Sequence, residues 1–356
     1  MRIQKKKIEA RKRGRLGERQ MDLKSYNTKK VIKKVETYKQ KWSDYNAAKT
    51  RERIIAESLL LELLSYIEEP KHHVGRRPFS LREKIFCMFT YCYCGYSSRR
   101  AISELEIARR RGLIPKTPHF NSILNMFRDQ SLTRILHNLV EISALPLKAI
   151  EKNASVDGSG FSISSFDRWF DFRTQGYKTK KEWIKLHLIV GNLTNVIIST
   201  GVSEGTANDS PFLPDLVKNA TKNFPLQEIS ADKAYSSRNN LQVIAAAGAI
   251  PFIPFKSNAK ANPKGCKLWR DMYEFFHDNK EEFEKHYHQR SNVESAYFMI
   301  KRNYRNNLRM RSYYSQMNEI LVKCICHNLA VLVQESFELG LKIDFKDCVS
   351  YYFAQK

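Results

Sequence analysis

Acidic residues are scarce in this 356-residue chain: 37 Asp and Glu face 61 Lys and Arg, a formal net charge of +24. That imbalance points to a polyanionic partner. No apolar run approaches the ~20 residues needed to span a bilayer. The basic start Met1-Arg2-Ile3-Gln4-Lys5-Lys6-Lys7 lacks the apolar stretch of a signal peptide, so neither membrane insertion nor secretion is expected. Zinc-ligand spacing is missing too. Cys92-Tyr93-Cys94 and Cys324-Ile325-Cys326-His327 bring thiols close without it, and the odd total of seven cysteines suits reduced, packed thiols in a cytosol. Ser159 and Ser162 have no evident His–Asp partnership, which removes them as nucleophiles. No feature calls for a small-molecule substrate. A mainly disordered chain is excluded as well: 42% of residues are hydrophobic and 12% aromatic, despite a mean hydropathy of −0.51.

Basic charge is present and dispersed. The first 50 residues hold 17 basic and 5 acidic side chains, so 17 − 5 = +12, and the excess recurs at Arg99-Arg100, Arg109-Arg110-Arg111 and from Lys301 to Arg311. Residues 1–50 have little apolar periodicity and are expected to be an arm that is loose or folds on binding, with a helix from Ile54 to Ile67. Together they make a basic arm and helix over residues 1–76.

Residues 77–147 read as a helical, DNA-binding region. Ser80-Leu81-Arg82-Glu83 has capping-box spacing and opens a helix that should stop near Gly95. Further helices are expected at Ser98–Gly112, from Thr117-Pro118, and at Leu132–Leu145. The short turn between the first two, and Arg99, Arg100, Arg109, Arg110 and Arg111 around the second, suggest a helix-turn-helix contact with DNA.

From Asn153 the periodicity becomes that of strands: Ala154–Val156, Trp183–Val190, Val196–Thr200, Glu228–Ala231 and Ile250–Phe255. Helices are expected at Ser210–Ala220 and Arg238–Ala247. This order predicts an α/β fold, a mixed sheet flanked by helices, over residues 148–340 after an all-α N-terminal region. Residues 256–286 read as a long loop or insertion, helices close the domain at Asn292–Asn303 and Ser315–Leu339, and 341–356 form a tail. His187 is expected to be packed or hydrogen-bonded mid-strand, and Phe166, Trp169, Phe170 and Phe172 to pack in a core, with stacking on a displaced base as the other reading. His286 and His288 flank a candidate site residue and could contact DNA.

Three acids stand at the ends of these elements: Asp157 in Val156-Asp157-Gly158, Asp232 in Ala231-Asp232-Lys233, and Glu294 at the start of a helix. Singly, each has a local reading: a hairpin turn, a helix cap, and a capping box with Ser291. Brought together they would repel unless cations neutralised them, and hard oxygen ligands suit Mg²⁺ or Mn²⁺. A pair of such ions serves in-line phosphoryl displacement. Tyr287, Arg290, Glu294 and Lys301 share one face if the helix is continuous, a polar stripe that could hold phosphates.

This pattern, Tyr-x2-Arg-x3-Glu-x6-Lys behind Asp157 and Asp232, resembles the DDE transposases of prokaryotic insertion sequences, specifically the group defined by the YREK motif. The resemblance spans roughly Pro118 to Val333 and includes Asn208-Asp209-Ser210 and Asp232-Lys233-Ala234-Tyr235. Gly158 stands where Ser is common in the family, and Ala234 where Gly is frequent. The resemblance implies a ribonuclease-H-like core, with Asp157, Asp232 and Glu294 as catalytic ligands of Mg²⁺ or Mn²⁺, two ions in all. It makes Tyr287, Arg290 and Lys301 DNA contacts. The implied partners are transposon inverted repeats and target DNA, bound by a homodimer in a prokaryotic cytoplasm at the nucleoid. Two other readings share these features: a transposase-derived, non-catalytic DNA-binding protein, and a nuclease of the same fold that cuts without joining.

Overall fold

Alternation of strand side chains decides which groups meet, and it begins with β1. The computed structural model describes residues 40–70, 78–163 and 183–354. In these, β1 (Asn153–Ser162) is the middle strand of a five-stranded sheet, with β2 (Trp183–Gly191) and β3 (Ile197–Glu204) antiparallel on one side. On its other side β4 (Glu228–Ala231) and β5 (Ile250–Phe252) run parallel to it. The order β3-β2-β1-β4-β5, flanked by helices, is the expected ribonuclease-H-like mixed sheet.

The N-terminal region is all helical. It comprises α1 (Trp42–Ser65), α2 (Leu81–Cys94), α3 (Ser98–Arg110), α4 (Phe120–Arg128) and α5 (Ser131–Ala144). The Ser80–Glu83 capping box forms, and Gly95 ends α2 with φ +63°, the left-handed geometry that glycine adopts without a Cβ penalty. Helix α1 corrects one expectation: it starts at Trp42, inside the stretch read as loose, because Ala48 and Ala56 begin its buried face.

On the sheet, α6 (Leu213–Asn223) packs against β3, and α7 (Arg238–Ala246) packs on α6 and β5. The segment 256–286, read as a long loop or an insertion, is not one long loop: it folds into α8 (Lys267–Asp278) and α9 (Lys280–Tyr287). Trp269, Met272 and Phe283 are buried there, in an aromatic group with Phe252 and Phe255 that fixes both helices over β5. A 3₁₀ turn, His288–Arg290, leads straight into α10 (Ser291–Tyr304). After it come α11 (Tyr313–Glu338) and, where a tail was expected, α12 (Lys346–Ala354).

Helix α11 is buried nearly all round and packs on α1, α2, α5 and β3, so the helical region and the sheet share one core. By length and composition it is the one helix among the described residues apolar enough to cross a membrane, which corrects the expectation that no such run exists. Its most apolar window is 83% buried in the protein. All seven cysteines are free. The aromatic group Phe166–Phe172 lies outside the described residues.

Asn328 joins the layers. Its amide nitrogen donates to the carbonyl of Ile197 at 2.9 Å and to Ser143 Oγ at 2.9 Å, and its oxygen accepts from the Ile197 N–H at 2.8 Å. Asn328→Leu would leave these buried groups unpaired, and each costs about 1–3 kcal/mol. The expected outcome is a loss of about 2–5 kcal/mol in denaturant unfolding; a change within experimental error would mean water replaces the side chain.

Candidate active site

Val156 pairs with Ala231 across β1 and the parallel β4, so the next residues, Asp157 and Asp232, sit side by side at the same level of the sheet. Asp157 lies within β1, which runs on to Ser162, so the hairpin-turn reading is corrected. It is not at a strand end as expected; β1 is prolonged past it by pairing with β2. Asp232 is a cap, its carboxylate accepting from the Lys233 N–H at 2.6 Å, and its charge still acts on Asp157.

The third acid arrives on α10. The Ser291–Glu294 capping box does not form, because the chain enters α10 already helical and Ser291 Oγ donates to the His288 carbonyl instead. Freed from that role, Glu294 pairs with Arg290: Nη1 donates to Oε1 at 2.8 Å. The other arm of the same guanidinium reaches Asp157 Oδ2 at 3.4 Å.

Two more contacts from α10 set its place over β1. Tyr297 Oη donates to the carbonyls of Asp157 (3.0 Å) and Leu186 (2.7 Å), and Lys301 Nζ donates to Ser159 Oγ at 2.7 Å. Tyr297 was missed in the sequence, although it is a buried tyrosine one turn after Glu294. Tyr287, at the end of α9, is near enough to feel Arg290, Asp232, Asp157 and Glu294.

Burial pushes the Asp157 carboxyl above its usual range, and the nearby charges of Asp232 and Glu294 push the same way; the Gly158 N–H and Arg290 only partly offset this. Burial lowers the pKa of Lys301, with Asp157 opposing. The donors are all hard oxygens and repel one another, which is the chemistry a divalent cation relieves. Among the described residues, no three His, Cys, Asp or Glu side chains stand close enough to grip one ion, and Arg290 lies between two of the acids. The donor set fits Mg²⁺ or Mn²⁺, while its placement is that of a site balanced by an arginine.

On the opposite face of β1 a second cluster was only half foreseen. His187 is fully buried, as expected, stacked on Phe212 and bonded through Nε2 to Ser203 Oγ at 2.9 Å. Burial lowers its pKa to about 4, and Asp209, which opposes this, stands 3.5 Å from Nδ1 while pairing with Lys185 at 2.6 Å. So a Ser203–His187–Asp209 line does exist, one the sequence did not disclose, but its serine is buried and far from solvent chemistry. Gly158 makes room for it: a Cβ there would lie 2.7 Å from Asp209 Oδ1.

The flanking residues divide differently. His286 bonds to Glu228 at 2.9 Å and stacks on Phe252, a packing role. Arg109 and Arg110 pair with Glu106, and Arg111 pairs with the buried Glu57 of α1. Arg99 and Arg100 lie over the rings of Phe120 and Tyr96. None of the five bonds to the acidic site.

A family model described as a transposase DDE domain matches residues 152–329, half of the chain. The chain belongs to the DDE transposases. It is 24% identical over 285 residues to a probable transposase for insertion sequence element ISA1214 from Archaeoglobus fulgidus, covering 78% of this chain and 85% of that protein. It is also similar to a piggyBac transposase solved in a synaptic complex with hairpin DNA, at TM-score 0.42 and 12% identity, over 86% of this chain and 81% of that one. Members of this family generally use divalent metal ions.

In this transposase burial disfavours the charged form of Asp157. A carboxyl whose folded pKa is raised adds stability below its unfolded pKa and loses it as pH rises through the folded value. Asp157→Asn should therefore raise the unfolding midpoint at pH 7 in chelator, and the gain should vanish as pH falls below ~4. Thermal unfolding across pH checks this; a less stable variant at pH 7 would mean the Arg290 pair outweighs burial.

Proposed function

We propose that this transposase binds the terminal inverted repeats of its element, hydrolyses a phosphodiester at each end, and uses the freed 3′-hydroxyl to attack target DNA. The observation that carries this reading is the side-by-side pair Asp157 and Asp232 facing Glu294, with Arg290 and Lys301 at the same hollow. Asp157, Asp232 and Glu294 would hold Mg²⁺ or Mn²⁺, which supplies activation of the attacking oxygen and stabilisation of the leaving one.

The chain's own groups do the positioning. Arg290 can exchange its carboxylate contacts for phosphate oxygens, since a guanidinium fork fits both. Lys301, held at Ser159, offers a second cation along the strand, and Tyr287 borders the scissile bond. Cleavage and joining are both in-line displacements at phosphorus, so one site serves both with no covalent enzyme intermediate. Two ends must be handled together, which calls for a homodimer on DNA, acting in a prokaryotic cytoplasm at the nucleoid.

Sequence recognition belongs to the basic arm and the helical region 77–147, because contacts to phosphates at the cut site carry little sequence information. Arg99, Arg100, Arg109, Arg110 and Arg111 are the proposed contacts. Replacing Arg99 and Arg100 together with Gln in the full chain should cut the preference for cognate over scrambled ends about tenfold or more. Titration of both DNAs at two salt concentrations checks it; an unchanged ratio would move recognition elsewhere.

The deciding assay is catalysis by single variants. Asp157→Asn, Asp232→Asn and Glu294→Gln should each reduce Mg²⁺-dependent cleavage and strand transfer by at least about a hundredfold while keeping DNA affinity. Arg290→Ala and Lys301→Ala should lower single-turnover rates. Near-normal cutting by any acid variant would remove that residue from the site, and cleaved but never joined ends would favour a nuclease.

A further inference from the structure

Glu294, Phe298 and Arg302 recur every four residues along α10, and Arg290 stands four residues earlier in the turn that leads into it, so they follow one slanting row. Phe298 is 61% exposed in the middle of this helix, and the Arg302 guanidinium lies 5.7 Å from its ring centroid. Among the described residues no other ring stacks on it, so beside the proposed catalytic acid it is an open platform. Next to it is a cleft of about 810 Å³ between α10, the start of α1 and the turn joining β2 to β3. It is lined by Phe298, Arg302, Asn303, Lys152, Asn192 and Lys49, among others.

The charge of this cleft is positive. Its acids are already engaged: Glu151 accepts from the Leu193 and Thr194 N–H groups, and Glu52 takes Lys49 and Tyr93. Lys152 and Arg302 meet no carboxylate among the described residues. An aromatic face with adjoining cations is how unpaired nucleic acid is gripped, a base stacking on the ring and phosphates lying on the cations. A duplex buries its base faces and offers nothing to stack, and the volume suits a ligand of nucleotide size.

We propose that this cleft is a single-strand subsite, taking one unpaired DNA strand past Glu294 with a base on Phe298 and phosphates on Arg302 and Lys152. The proposal rests on reading α10 as the catalytic helix and adds the strand path to it.

The test is binding of the full chain to a fluorescein-labelled oligothymidylate and to a duplex of equal length. Phe298→Ala should weaken the single strand about tenfold and the duplex less than twofold. Phe298→Trp should restore binding, with its emission quenched as the strand is added. Arg302→Gln should weaken the single strand and flatten its salt dependence by about one counterion. Single-strand binding that survives Phe298→Ala, or an equal loss on both DNAs, overturns the proposal. Either result leaves the proposed function standing, because that depends on Mg²⁺-dependent cleavage and its loss in Glu294→Gln. Absence of cleavage in the unaltered protein would sink the function whatever the oligothymidylate does.

Discussion

Three carboxylates cannot share a half-buried hollow without positive charge among them, and in this chain Arg290 meets that requirement. Its guanidinium reaches both Asp157 and Glu294, so the residue that couples the sheet to α10 is also the one that balances the acids' charge. The 3₁₀ turn His288–Arg290 serves this purpose: it joins α9 to α10 and sets Arg290 one turn ahead of Glu294. Tyr297 and Lys301 then hold α10 down on β1, each through a bond beside or at Asp157.

The sheet has an opposing constraint behind it. Because strand side chains alternate, the residue after Asp157 must point at α6 and its lead-in, where Asp209, His187 and Lys185 crowd together. Glycine at 158 accommodates that crowding. The departure from the family's more common serine is thereby tied to a particular neighbour, and a side chain at 158 would press on the strand that positions Asp157.

Much of this was legible in the sequence, for reasons that differ by element. Ser80, Glu83 and Gly95 declare the ends of α2 because capping chemistry is local. The strands β2 and β4 show themselves through short apolar runs, and the acids through their positions beside them. The full length of β1 was hidden: Gly158, Ser159 and Gly160 have poor strand propensity, and only pairing with β2 makes them a strand. Helices α8 and α9 were hidden by their charged surfaces, since their buried side is an aromatic group completed from β5. The capping-box spacing at Ser291 misled because the chain is helical before it reaches Ser291, which sequence spacing cannot reveal. Likewise Asp209 and His187 lie 22 residues apart and meet only once the sheet has formed.

In the proposed site Asp157, Asp232 and Glu294 bind divalent cation together. Replacing Mg²⁺ with Fe²⁺ and adding ascorbate and peroxide generates hydroxyl radicals at the bound ion, which cut the nearby polypeptide. Mapping the fragments by mass spectrometry should give cuts clustered around residues 157, 232 and 294, suppressed by excess Mg²⁺. Cuts confined to other segments, or a pattern indifferent to Mg²⁺, would contradict the account.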